Sequence, residues 1–339
     1  MGERPRSRAK RILGLVLLLA AIGLLVFSVT HRQEIRDHLS AQGFESSPRV
    51  EQVLVELRLT GAGERIFLAT RPTIDGSGHF NEQCAGVDHS EQGHVLGCYK
   101  ADRIHLFDVT DDRIQGIVEV TAAHELLHAA YGRLGEGDRI ALGEKLRQEF
   151  ERLAAEDPEL RERMSVYEHL SDAAFANELH SVLGTEVSEL PPWLEKHYAQ
   201  WFEDRGALVA RFEEYHSVFL ELQNQADGLK SEMSTLREDV ERRKADYDQE
   251  VAAFNTAAAD FSARNKRSEF SEKPEEFERI RNELEARRAD LERTLEALQA
   301  DIDHYNGLRD QLATLSEISS ELDQQLNSDL APVTTRPDD

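Results

Sequence analysis

The sequence predicts an α+β domain followed by a long antiparallel helical coiled-coil hairpin, with a transmembrane helix near its N-terminus. Three observations carry this prediction. An uncharged apolar run occupies Ile12 to Val29. Residues 48–204 mix helical and strand-like hydrophobic periods. From about Gly206 the composition shifts to Glu, Arg, Leu, Ala and Gln, with apolar residues at spacings of three and four.

The first segment, residues 1–11, carries Arg4, Arg6, Arg8, Lys10 and Arg11. Residues 12–29 are just long enough to cross a bilayer core, and basic charge ahead of them predicts a cytoplasmic N-terminus with the rest of the chain outside. A cleaved signal peptide is the alternative, because Val26-Phe27-Ser28 places modest side chains where a signal peptidase cuts. The length of the run favours a retained signal-anchor. The expected location is therefore the cell membrane, single-pass with the following domain extracytoplasmic, or the secreted fraction after cleavage. Residues 30–47 read as a juxtamembrane tether of helix-forming character without a sizeable apolar stripe.

Within residues 48–204, Arg65-Ile66-Phe67-Leu68-Ala69-Thr70 and Arg103-Ile104-His105-Leu106-Phe107-Asp108-Val109 read as strands. Between them, Cys84 and Cys98 bracket a polar, glycine-containing loop, and a disulfide is the simplest reading in an exported domain. Closing a loop of about 15 residues stabilises a fold by roughly 3 kcal/mol in the chain-entropy model. A second metal site is the competing reading, since His89 and His94 lie between the cysteines.

The chemistry-bearing motif is His124-Glu125-Leu126-Leu127-His128. On a helix, residues four apart stand one turn apart on the same face, so both imidazoles reach one ion at about 2.0–2.1 Å. Glu125 lies one step round, beside the metal's open position, where it takes a proton from a zinc-activated water attacking a carbonyl. Ile117, Thr121, His124, His128 and Tyr131 share one helical stripe. The alternative is a helix whose histidines are hydrogen-bonded core residues or solvated surface.

A catalytic zinc takes three protein ligands. The third is expected at Glu178, on a short helix that Ser171 would cap, with Phe175, Leu179 and Val182 near it. A carboxylate among such neighbours needs a cation to offset its desolvation, and an arginine is the alternative to zinc. Asp172 and His169 are weaker candidates.

HELLH followed some fifty residues later by Asn177-Glu178 resembles the gluzincin branch of the zincin metallopeptidases. The resemblance covers roughly residues 48–204. It implies one Zn²⁺ held by His124, His128 and Glu178, with Glu125 as general base and acid. The metzincin continuation is absent, since Tyr131 and Leu134 occupy its glycine and final histidine positions. The resemblance also implies that an edge strand ahead of the motif helix holds the substrate by backbone pairing, a role for which Ile104 to Val109 is placed. An ordinary core strand is the alternative. Candidate oxyanion donors are Tyr131, His180, His197 and Tyr198, among which the sequence makes no choice.

A net charge of −25 excludes a nucleic-acid surface, which requires clustered Lys and Arg. It also favours a domain held off anionic lipid. Over residues 205–327 a first heptad run extends from Phe212 to Phe261, with a phase shift near Tyr247 and Val251, and a second from Phe277 to Leu326. An interruption at Arg264 to Pro274 lets the two helices fold back as a hairpin roughly 75 Å long. Its expected roles are spacing, partner docking or self-association. Residues 328–339 are expected to be a disordered tail. The whole reads as a membrane-anchored extracytoplasmic zinc peptidase acting on a peptide or protein substrate. The rivals are an envelope coiled-coil scaffold with an inactive or structural metal domain, and a zinc hydrolase of another amide.

Overall fold

The computed structural model describes residues 6–86 and 94–330. It divides into two compact units, one of residues 1–218 with 323–339 and the other of residues 219–322.

The first unit begins with helix α1 (Arg6–Thr30), whose apolar window Leu13–Thr30 is buried nowhere against the protein. Helix α2 (Arg32–Gln42) follows after one residue. The expected tether is instead part of the folded unit. Buried Asp37 accepts hydrogen bonds from Nε and Nη2 of Arg133, each 2.8 Å long, and Ser40 Oγ donates to the Ala69 carbonyl at 2.8 Å. A charged helix can thus dock through polar contacts that no apolar stripe advertises.

Helices α3 (Pro48–Leu57) and α4 (Gly61–Ala69) come next, capped by Ser47 and Thr60, whose hydroxyls accept from Val50 N and Gly63 N. Residues 65–70 were expected to be a strand and lie almost wholly in α4. The Thr60 cap starts the helix upstream of that apolar run, and Gly63 lets it close on Trp201, whose carbonyl oxygen would stand 2.3 Å from a Cβ at that position.

The sheet has three strands, β1 (Thr73–Asp75), β2 (Gly97–Lys100) and β3 (Arg103–Phe107), in the order β1-β3-β2. Strand β3 pairs parallel with β1 through Ile74 and Leu106, and antiparallel with β2 through Tyr99 and Ile104. The strand expected over residues 103–109 is therefore present but central, with both edges paired. Its expected role as an edge that receives a substrate strand does not survive; β1 and β2 hold the two edges. Helix α5 (Ser77–Cys84) precedes β2 in the chain, and the Cys84–Cys98 disulfide forms as expected, so neither thiolate is available to a second metal site. Residues 87–93, with His89, lie outside the described residues.

A single 3₁₀ turn at Asp112–Ile114 leads into helix α6 (Ile117–Arg133). Every residue from Ile117 to Tyr131 is buried, so α6 is the central helix of the unit. Packed directly on it are α9 (Asp172–Glu186), α3, α4 and strands β2 and β3; α7 (Glu136–Glu156) packs on α9 and on α8 (Pro158–Ser165), and α10 (Pro192–Tyr198) follows α9 in the chain.

Helix α11 (Arg205–Lys266) begins inside this unit. Phe212 and Tyr215, expected as seam positions of the coiled coil, are buried in the domain, and the Phe212 ring stacks on His216 at 4.9 Å between centroids. The chain returns at the end of helix α12 (Pro274–Leu326). His94 Nε2 lies 2.8 Å from Asp323 Oδ1, Ser328 Oγ donates to the Val95 carbonyl at 3.2 Å, and Leu330 packs against Phe80, Cys84, Val95 and Cys98. The tail expected to be disordered from residue 328 is thus docked through Leu330, and residues 331–339 lie outside the described residues.

In the second unit α11 and α12 run antiparallel. Glu232 faces His304 at 3.0 Å, Arg243 pairs with Asp301, Glu250 faces Arg287 at 3.6 Å, and the Phe261 and Phe277 rings meet at 5.0 Å. Phe270, in the 267–273 connection, closes this end against both rings.

Candidate functional site

Two helices build the site. On α6, the 3.6-residue repeat stacks the imidazoles of His124 and His128 one above the other, 4.7 Å between ring centroids. Helix α9 begins at Ser171, whose hydroxyl accepts from Ala174 N, and it crosses α6 at very short range. A Cβ at Gly184 would stand 2.3 Å from Leu127 Cδ1 and 2.8 Å from the Tyr198 ring, so glycine there permits the approach.

This approach carries Glu178 to the histidine pair. Its Oε2 lies 3.5 Å from Nε2 of His124 and 3.5 Å from Nε2 of His128, and one donor atom from each residue falls within 4.8 Å of the other two. Tetrahedral ligands at zinc bond lengths of about 2.0–2.1 Å stand about 3.3–3.4 Å apart, close to the two Glu178–histidine separations. Burial pushes the His124 pKa down, keeping the ring neutral with a lone pair to offer. Only 1 %, 4 % and 6 % of His124, His128 and Glu178 is exposed. A closed group of two imidazoles and one carboxylate suits a divalent transition metal better than Ca²⁺ or Mg²⁺, which take oxygen ligands.

Compared with known proteins, the chain matches no family model, no curated protein and no solved structure.

Glu125 is fully buried beside this group, under the edge strand. A Cβ at Gly97 would meet Glu125 Oε1 at 2.8 Å and Thr121 Cγ2 at 2.6 Å, so β2 passes directly over the carboxylate. Gly97 was not singled out from the sequence. The available signal was a glycine entering a strand, which marks close approach of another group.

The four candidate donors fall in one aromatic cluster behind α9. The His180 ring lies 5.3 Å from that of Tyr131 and 5.4 Å from that of Tyr198, and its Nε2 is 2.9 Å from Nε2 of His197. Both hydroxyls are used by backbone, Tyr131 donating to the Arg139 carbonyl at 3.2 Å and Tyr198 to the His180 carbonyl at 2.8 Å. Burial raises the pKa of both phenols. It lowers that of His180, with His197 adding to the effect, and brings His197 down to about 4. Asp172 and His169 lie away from the group, Asp172 almost fully exposed and 3.3 Å from Arg147, His169 turned onto the Val166 carbonyl.

Proposed function

We propose that the chain is a membrane-anchored, extracytoplasmic zinc-dependent peptidase of gluzincin character, with His124, His128 and Glu178 as ligands and Glu125 as general base. The observation that carries this reading is the equal 3.5 Å spacing of Glu178 Oε2 from both imidazole Nε2 atoms. When bound, zinc supplies a Lewis acid that acidifies water and polarises a carbonyl. Glu125, one step round the helix from His124, accepts a proton on its carboxylate and returns it to the leaving amine. Gly97 keeps the strand backbone low over that carboxylate and limits the water around it. Helix α1 serves as the anchor, and the buried Cys84–Cys98 disulfide supports an oxidising, extracytoplasmic setting for the domain. The helical hairpin presents the surface for a protein substrate or partner.

One observation favours a second reading, an envelope scaffold whose metal is structural: Glu125 is fully buried, which a substrate-facing base in an open cleft is not. Metal analysis together with cleavage of casein by wild type and Glu125→Gln separates them. The peptidase reading expects stoichiometric zinc in both proteins and cleavage by wild type alone. Zinc in both with cleavage by neither supports the scaffold, and no zinc in either removes both readings.

A further inference from the structure

Helix α2 has two faces of different chemistry. The inner face is pinned to the domain by the Asp37–Arg133 pair and by Ser40 on the Ala69 carbonyl. The outer face carries Arg32, Ile35, Arg36 and Leu39, at the spacings that align on one side of a helix. All four are exposed, Leu39 to 64 %. In a chain of net charge −25, two arginines flanking two large apolar side chains on one exposed ridge is an unusual concentration.

This ridge follows α1 without slack. His31 N bonds the Phe27 carbonyl at 2.9 Å and Ile35 N bonds the His31 carbonyl at 3.0 Å, while His31 itself, at φ −104° and ψ 19°, leaves the helical conformation, so the chain bends at the one-residue junction. Were α2 to rise along the membrane normal, Leu39 would stand about 13 Å beyond Thr30. That is past the headgroup layer, which adds only about 5–8 Å on each side of the hydrocarbon. Lying flat, α2 sets Ile35 and Leu39 at the boundary between headgroups and acyl chains, with both guanidinium groups beside lipid phosphates. The inner-face contacts leave this ridge, with exposed Glu34 and His38 beside it, free to face the bilayer.

We propose that the outer face of α2 is a membrane-docking surface, in which Arg32 and Arg36 bind phospholipid headgroup phosphates while Ile35 and Leu39 enter the interface. The domain is then seated on the membrane rather than suspended from a tether. This rests on α1 being a retained span, and the test separates the two claims.

The full chain contains no free cysteine among its described residues, so a single introduced cysteine can carry an environment-sensitive fluorophore. Val16→Cys, Leu39→Cys and Val55→Cys are labelled and reconstituted in phosphatidylcholine–phosphatidylglycerol vesicles with shallow or deep spin-labelled lipid. Position 16 reports the span, and position 55, exposed on α3, is the aqueous reference. The expected result is deep quenching at position 16, and shallow quenching at position 39 exceeding that at position 55 by at least about threefold. Adding Arg32→Glu and Arg36→Glu to Leu39→Cys brings its quenching down to the position 55 level. Equal quenching at positions 39 and 55, with position 16 in lipid, overturns the docking surface and leaves the anchor intact. An aqueous position 16 overturns the anchor and the docking surface together.

Discussion

Removing the third ligand should act strongly on the metal-loaded protein and little on the metal-free one. In Glu178→Gln the helix α9 side chain keeps its shape and loses its charge. Without metal, the Glu178 carboxylate is 94 % enclosed beside two imidazoles, of which His124 is held neutral by burial. Its hydrogen bond to His124 offsets part of its desolvation, so the chelated variant should melt within about 1 kcal/mol of chelated wild type. With zinc at a hundred times its dissociation constant, wild type should gain about 2.7 kcal/mol. For a domain of this size that raises the melting temperature by about 5–10 °C. The variant, left with two imidazoles, should bind at least about 100-fold more weakly and show almost no shift at the same zinc concentration. Thermal unfolding of chelated and zinc-titrated proteins measures all four states. Equal zinc-induced shifts in wild type and Glu178→Gln would falsify the ligand assignment.

Gly97→Ala should cost about 1–3 kcal/mol by overpacking Thr121 and Glu125, and should weaken zinc binding with it, because Thr121 shares the helical stripe of His124 and His128. Denaturant melts and zinc titration test this, and a variant as stable as wild type would show that β2 stands off the carboxylate. Asp37→Ala should cost about 2–3 kcal/mol, below the usual loss for a broken buried pair because Arg133 keeps Asp102 at 3.0 Å and the Ala129 carbonyl at 2.9 Å. A loss under about 0.5 kcal/mol by chemical denaturation would mean that α2 is not held to the domain. Acid should also destabilise the first unit. The folded pKa of His197, about 4, lies below the ordinary 6.5, so the unfolded chain protonates first; the stabilising contribution is complete above pH 6.5 and is lost as pH falls toward 4. Allowing for the partial exposure of this side chain, the loss is about 1–2 kcal/mol, and denaturant melts across that window should be flatter for His197→Gln.

What could be read from the sequence was what local periodicity encodes. His124 and His128 share a face by the helical repeat alone, and Glu178 stood out because a carboxylate among Phe175, Leu179 and Val182 required a partner. The hairpin followed from its heptads and their interruption. The misreadings share a different cause, since each depends on a contact distant in the chain. Residues 65–70 are a short apolar run that reads like a strand, but their helix is set by Thr60 upstream and by the space that Gly63 leaves for Trp201. The tether looked detached because the partner of Asp37 lies 96 residues away. The centrality of β3 depends on β1, whose three residues are too few to carry a periodic signal. The covering of Glu125 by Gly97 is a packing fact with no sequence period behind it.

That covering also bears on which reading of the metal group prevails. A buried general base is an advantage for chemistry, because low dielectric strengthens its interactions and excludes stray water, but only if substrate can still arrive. The strand over Glu125 is held by β3 on one side and by the Cys84–Cys98 link to α5, and its approach is pinned through Val95 to Ser328. A peptidase built on this frame must admit its substrate along the open edge of β2 or by a displacement of that strand. A structural metal site needs neither, and it would leave the edge tightly closed. Hydrogen exchange distinguishes these physically, since amides of residues 97–100 should exchange through local opening well below the global unfolding free energy in the first case and only with global unfolding in the second.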